Sequence, residues 1–360
     1  NIRKHTNIVP YTLDINTIYH NHPRSELLNQ ILAKIDELKI DILFVAIDHR
    51  ILLSIEDLTV LNRYCFLVCY LGDDEHYGPI YYNTYCQAFD LILTGNYYPA
   101  LKYQAMGLNG VFFPSSFEIN LEQSFEESYE FDITFVGALK GKQDRIEYLN
   151  ALKRHGYNVS IFGKDSDFGS VSRDEMYQIF RKSKINLNFT AVSDNKLQDI
   201  NFRSQTKFKQ IKGRCQEIAL SGGFVLTEHA FGINKLFCPD KECVVFKDSE
   251  DLVEKCRFYL ENDELRKSIS KSGYEVAQNK YKADQVWLGF EKEITKLPHL
   301  DKETPKIIIY DRAFWHYFNA QILARSIRFF ITLKLITAAK ELVQLKIARG
   351  FDTILTLRII

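Results

Sequence analysis

The chain has 360 residues, with 46 lysines and arginines against 46 aspartates and glutamates, and its hydrophobic content of 46% is ordinary for a globular protein. That length suits two domains, each with its own core, and a formal charge of zero gives no general reason to expect a nucleic-acid partner. The seven cysteines form no CxxC pair, which reads as scattered free thiols of a reduced, cytoplasmic protein. The opening NIRKHTNIVPY is not a signal peptide and lacks an initiator methionine, as a fragment would. No apolar run approaches the roughly 18 residues a membrane span needs.

In chain order, residues 24–39 carry apolar groups at helical spacing. DILFVAI (41–47) and CFLVCYL (65–71) are short apolar runs that predict buried strands; the second stops at Gly72-Asp73-Asp74-Glu75-His76. DLILTG (90–95) and NGVFFP (109–114) follow, with helical material between them. The alternation predicts a parallel sheet covered on both faces. Residues 115–130 are acidic and weakly patterned, and read as a linker. The pattern restarts at FDITFVGALKGKQDR (131–145), then continues through the helix EYLNALKRHG, the strand NVSIFG, the helix MYQIFRKSK and the strand INLNFT (185–190). Residues 191–206 are polar and predict a loop. A helix over about 212–221 is ended by Gly222-Gly223, since glycine accepts the left-handed conformation at little cost. The strand FVLT follows, then ECVVFKD (242–248) and one long helix over 249–278 that starts at Ser249. The tail, 311–360, has a helical pattern with eight basic against three acidic residues. The expected domains are 1–120, 131–290 and the tail 311–360.

Three stretches hold residues able to do chemistry. Glu217 sits on a predicted helix beside strand ends, where ligands of such sheets bind, and its carboxylate can accept two hydrogen bonds from a ribose diol. Lys212 and Arg214 suit a diphosphate; a solvated basic turn is the plainer account. Gly137, after one strand and before a helix, permits close approach of a phosphate or simply makes a turn. In GDDEHYG, Asp74 and His76 can serve as a general base or line an acceptor pocket, or belong to a solvated loop. A metal reading lacks spaced partners apart from His49, and none is expected. The 20 tyrosines and 26 phenylalanines suit sugar stacking and core filling alike.

Taken together, DILFVAIDH, CFLVCYLGDDEHYG and the run to NGVFFP, then FDITFVGALKGKQDRIEYLNALKRHGYNVSIFGK, MYQIFRKSKINLNFT and QIKGRCQEIALSGGFVLTEHAFGINKLF resemble glycosyltransferases of the GT-B type. More narrowly they resemble the branch grouped with the spore maturation protein CgeB. The resemblance covers roughly 41–278. It implies an α/β fold of two Rossmann-like domains facing across a cleft, with a helical C-terminal extension. It further implies an acceptor site in the first domain and, in the second, a UDP- or GDP-linked sugar bound as donor substrate without a cofactor. By the same resemblance Glu217 matches the ribose-binding glutamate, Gly137 the glycine opening the donor domain, and Lys212 and Arg214 the basic segment before that glutamate. Asp74 and His76 match the acidic-histidine stretch of the acceptor domain. A second glutamate is expected eight positions before the ribose glutamate, where this chain has Lys209; a nucleotide-sugar-binding or assembly protein without catalysis is therefore the rival reading. The first acceptor-domain strand is not legible in 1–23. The implied role is polysaccharide biosynthesis on a glycan, lipid-linked or envelope acceptor. The tail is expected to pack on the first domain, to join two copies, or to touch an anionic membrane. A dinucleotide enzyme would want GxGxxG after the first strand, and none is present.

Overall fold

The apolar runs fold as parallel strands, and the chain reaches most of the next strands through a helix. The protein is described by a computed structural model, over residues 8–13, 18, 21–47, 53–72, 74, 81–119, 121, 128–192, 209–296, 307–310, 312–332, 334–335, 337–338 and 356–359. It divides into two units, Val9–Phe113 with Lys296–Ile360, and Asn1–Ile8 with Pro114–Thr295.

In the first unit α1 (Arg24–Leu38) leads to β1 (Ile42–Ile47), α2 (Ile55–Asn62) to β2 (Phe66–Leu71), a short turn of helix, α3 (Asn83–Tyr85), to β3 (Leu91–Thr94), and α4 (Tyr97–Ala105) to β4 (Gly110–Phe112). The four strands lie in the order β1-β2-β3-β4, all parallel. Leu67, Val68, Cys69 and Leu71 are all buried, which explains why β2 shows no polar alternation: both of its faces are covered. Ser54 and Asp57 start α2 with a reciprocal capping box. Asp90 fixes the entry to β3, its Oδ2 accepting from the Leu67 amide at 2.7 Å and from Asn62 Nδ2 at 2.6 Å.

The second unit runs β5 (Phe131–Val136), α5 (Gln143–Arg154), β6 (Val159–Phe162), α6 (Arg173–Arg181), β7 (Ser183–Asn188), α7 (Arg214–Leu220), β8 (Val225–Glu228), α8 (Ile233–Leu236), β9 (Val244–Phe246), α9 (Ser249–Glu261), α10 (Asp263–Lys280) and α11 (Ala283–Lys296). Its parallel sheet has the order β6-β5-β7-β8-β9. The chain steps from β5 out to β6, then returns to lay β7 on the other side of β5. A reversal of this kind makes the carboxyl ends of β5 and β7 the place where open α/β sheets hold ligands in a crevice. Ile133, Phe135, Ile185, Leu187, Leu226 and Val244 form the core beneath it.

Two elements differ from the sequence expectation. The single helix over 249–278 is two helices, broken at Asn262, whose φ of −111° and ψ of 72° are not helical. The first of the two starts at Ser249, as the sequence suggests, and its cap is Asp248, whose carboxylate accepts from the amides of Glu250 at 3.1 Å and Asp251 at 3.0 Å. The tail is also not helical throughout. β10 (Ile307–Tyr310) pairs antiparallel with β11 (Thr356–Ile359), and α12 (Arg312–Ile331) lies between them in sequence.

α12 belongs to the first unit. It buries Phe314, Phe318, Ile322 and Phe329, and Tyr317 stacks on Tyr81 with centroids 5.0 Å apart. Arg325 is buried as well, and its Nη2 donates to the His22 carbonyl at 2.5 Å. No helix among the described residues is long and apolar enough to cross a membrane. Because Phe318 is only 3% exposed, Phe318→Ala is expected to cost about 3–5 kcal/mol, read as a lowered urea midpoint of the first unit; an unchanged midpoint would mean that α12 is not docked in solution.

Candidate functional site

The crevice at the β5/β7 reversal begins with two glycines. Gly137 follows β5, and its amide donates to the Phe162 carbonyl at 2.8 Å. Gly163 follows β6 with φ at +147°, a conformation side chains rarely adopt, and a Cβ there would collide with the Gly137 carbonyl oxygen. The amide of Gly137 is thus engaged by β6. Gly163 permits the close approach of the two strand ends, while a Cβ on Gly137 would stand 2.8 Å from the Phe135 ring. Arg145, in the first turn of α5, holds the loop after Gly137: its Nη1 donates to the Ala138 carbonyl at 2.9 Å, and its guanidinium lies 5.7 Å from the Phe135 ring centroid. Its Nε has no hydrogen-bond partner among the described residues. Burial pulls its pKa below the usual arginine value; the Glu228 carboxylate opposes that shift and the Arg214 guanidinium adds to it. Arg145 therefore stands within the charge field of Glu228, Arg214 and Asp144.

Glu228 ends β8 and is buried. Its Oε2 accepts from the Thr190 amide at 2.8 Å, the Thr190 hydroxyl at 3.0 Å and the Ala191 amide at 3.3 Å. Its Oε1 accepts from Tyr148 at 3.2 Å and pairs with Lys209 Nζ at 3.0 Å. Burial by itself raises the carboxyl pKa; the Thr190 amide, Lys209 and the Thr190 hydroxyl outweigh it and hold Glu228 below its ordinary value. Tyr148 stacks on Phe189 at 5.5 Å, and burial, with the Glu228 charge added, pushes its phenol well up.

α7 carries the other acid. Glu217 is partly buried and pairs through Oε2 with Arg214 Nη1 at 2.9 Å; burial raises its pKa, against the pull of Arg214. The Arg214 guanidinium also lies 5.4 Å from the Phe180 centroid. Lys212 is half-buried just before the helix, and the buried Gln216 amide donates back to the Lys212 and Gly213 carbonyls at 3.1 Å in its satisfied orientation. The helix ends as expected on Gly222, at φ +80°, while a Cβ on Gly223 would stand 2.7 Å from the Phe180 carbonyl oxygen.

Of the residues singled out from sequence, the structure brings Arg214 and Glu217 together as an ion pair and places Gly137 at the reversal. Asp74 lies in the first unit, buried beyond the end of β2, with Oδ1 accepting from Asn96 Nδ2 at 3.3 Å. Lys102 is close enough to feel its charge: burial lowers the lysine pKa and Asp74 opposes the shift. His76 and His49 lie outside the described residues. Among the described residues no three metal-ligating side chains gather. Sequence reasoning missed Arg145, Tyr148, Thr190 and Glu228. The signal for the last was its position as the final residue of the strand in FVLTEH, one residue beyond the apolar run.

Two parallel sheets, the second ordered about a reversal with cationic and carboxylate side chains at its carboxyl ends, define a GT-B fold. Residues 142–290 match the family model described as Glycosyl transferase-like. Similar solved structures are a glycosyltransferase from Rickettsia africae, 13% identical over 81% of this chain and 85% of that one at a TM-score of 0.53, and a sucrose-phosphate synthase from Thermosynechococcus elongatus, 10% identical over 80% of each chain at 0.52. A third is HepE of Anabaena in complex with UDP, 13% identical over 76% of this chain and 82% of that one at 0.51. No curated protein matches the chain in sequence.

A pH dependence follows from Glu228. A carboxyl whose folded pKa lies below its unfolded value of about 4.5 contributes stability above that value and loses it as pH falls through the folded pKa. Glu228→Gln is therefore expected to flatten the decline in stability between about pH 5 and pH 3, measured by urea unfolding at each pH. A decline as steep as that of the unaltered protein would show that Glu228 does not titrate as placed.

Proposed function

We propose that the chain transfers a sugar from a UDP- or GDP-linked donor to a hydroxyl of a glycan, lipid-linked or envelope acceptor, as an enzyme of polysaccharide biosynthesis in the CgeB-like branch. The observation that carries this reading is the cluster of Arg145, Lys209, Arg214, Glu217 and Glu228 on the carboxyl side of a sheet whose segment matches a glycosyltransferase-like family. The HepE structure, similar in fold, was solved with UDP. In this reading Glu217 holds the ribose, while Lys212, Arg214 and Arg145 offset charge building on the departing diphosphate. Asp74 and His76 serve the acceptor, as the base if configuration is inverted.

The test is nucleotide titration and transfer together. The unaltered protein is expected to bind UDP or GDP and to release it from the matching nucleotide-sugar in the presence of acceptor. Arg214→Ala should weaken nucleotide binding by about 1.5–3 kcal/mol, and Glu217→Gln should erase discrimination between ribose and 2′-deoxyribose nucleotides. Asp74→Asn should lower transfer far more than donor affinity. Nucleotide binding without transfer under any acceptor would favour the binding or assembly role instead.

A peripheral contact of the tail with an anionic membrane is supported by one side of α12. Leu323, Ile327 and Ile331, with Leu335 beyond, are 48–72% exposed and recur every four residues beside Arg328 and Lys334. Sedimentation with phosphatidylglycerol vesicles, lost on Ile327→Asp, is the expected result; a concentration-dependent dimer lost on the same change would assign the stripe to a second copy.

A further inference from the structure

We infer that Lys209 is a donor-facing cation positioned by Glu228, and that this pair makes the site prefer a diphosphate to a monophosphate. The inference rests on the donor site described above and adds a specificity determinant to it.

The Glu228 carboxylate is spent inside the protein. Its side chain is 3% exposed, and its two oxygens meet three donors from Thr190 and Ala191 and two from Tyr148 and Lys209. It has neither surface nor lone pairs to offer a ligand. Lys209 is the opposite case, with a side chain 36% exposed and Nζ 3.0 Å from Glu228 Oε1. An ammonium carries three protons; the one directed to Glu228 leaves two for the exposed side. The lysine is also held by its main chain. Lys209 bridges Ala191 in antiparallel fashion, and the Gln210 amide donates to the Thr190 carbonyl at 3.0 Å. A lysine ordinarily samples many rotamers, and one tied at both ends presents its charge at a set place.

The charges around it give the ligand class. Arg214 is offset by Glu217 and Arg145 feels Asp144 as well as Glu228, whereas Lys209 pairs with the already occupied Glu228 and keeps an exposed side. What that balance leaves for a ligand is the two outward N–H groups of Lys209, which suit the additional anionic oxygens of a second phosphate. Glu228 is thus a positioning residue: it touches no ligand and acts through Lys209.

Calorimetric titration of UMP, UDP, GMP and GDP into the unaltered protein, Lys209→Met, Glu228→Gln and the double variant tests this. Lys209→Met keeps a linear side chain at a surface position and is expected to lose about tenfold in affinity for the diphosphate, with the monophosphate unchanged. Glu228→Gln should lose less, in the same direction, and the double variant should match Lys209→Met. Equal losses for mono- and diphosphate, or none, in Lys209→Met would overturn the assignment of the cation. Additive effects in the double variant would overturn the positioning role, and if Glu228→Gln fails to fold, Lys209→Met still decides the cation. Absence of all nucleotide binding to the unaltered protein would instead remove the donor-site reading itself.

Discussion

A carboxylate buried at the end of a central strand must be met by donors or it will not stay charged, because removing it from water costs several kcal/mol. Glu228 meets that demand with two backbone amides, a hydroxyl, a phenol and an ammonium. The five donors come from three places in the chain: the exit of β7, α5, and the segment that leads into α7. One residue therefore fixes how the three segments bordering the crevice stand to one another. Loss of any donor would leave the carboxylate underpaired, so Tyr148, Thr190 and Lys209 are constrained together.

The same logic runs down into the sheet. Thr134, Asn186, Asn188 and Thr227 are buried polar residues in the strands flanking the reversal. Thr134 donates to Asn186 at 2.9 Å, Asn186 to the Phe180 carbonyl at 2.9 Å, and Asn188 to Thr227 at 2.9 Å. Fully satisfied networks of this kind hold a unique arrangement beneath a site. The apolar residues alternate with them: Ile185 and Leu187 enter the core while Asn186 accepts from Thr134 of β5 and Asn188 donates to Thr227 of β8. The strand is thus two-faced although neither face is exposed.

This division explains what could be read from sequence. Strand positions were legible because FLVCYL and LILT are apolar without interruption, a pattern that both-sided burial requires. The end of α7 was legible because Gly222 needs a positive φ. The break at Asn262 was not, since ENDELRK continues a helical pattern and Asp263 and Glu264 suit a new first turn as well as an old interior. The site was half legible. Glu217 and Arg214 lie four and one residues into a recognisable helix, and so show themselves locally. Glu228 depends on partners 19 to 80 positions away, and no local spacing encodes which of several acids will collect them. Gly137 was legible as the glycine between strand and helix, but its structural partners were not: its amide is taken by Phe162, a Cβ on it would strike the Phe135 ring, and the close approach of Gly163 to its carbonyl rests on Gly163.

The tail shows that a helical wheel takes its meaning only once the buried face is known. Counted from sequence, Arg325 and Lys334 point in different directions, which argues against a single basic face. The structure removes Arg325 from that count, because its guanidinium turns inward to the His22 carbonyl and lies 5.2 Å from the Phe329 centroid. A buried cation of this kind works as a bolt between α12 and the first unit, and it leaves the outer face to Leu323, Ile327 and Ile331 with Arg328 at its margin. Inner and outer faces of one helix are then both apolar, so hydrophobicity alone could not have told which one the protein keeps. The arginine decides: a guanidinium needs acceptors when buried, and the His22 carbonyl supplies one only on the side that faces the first unit.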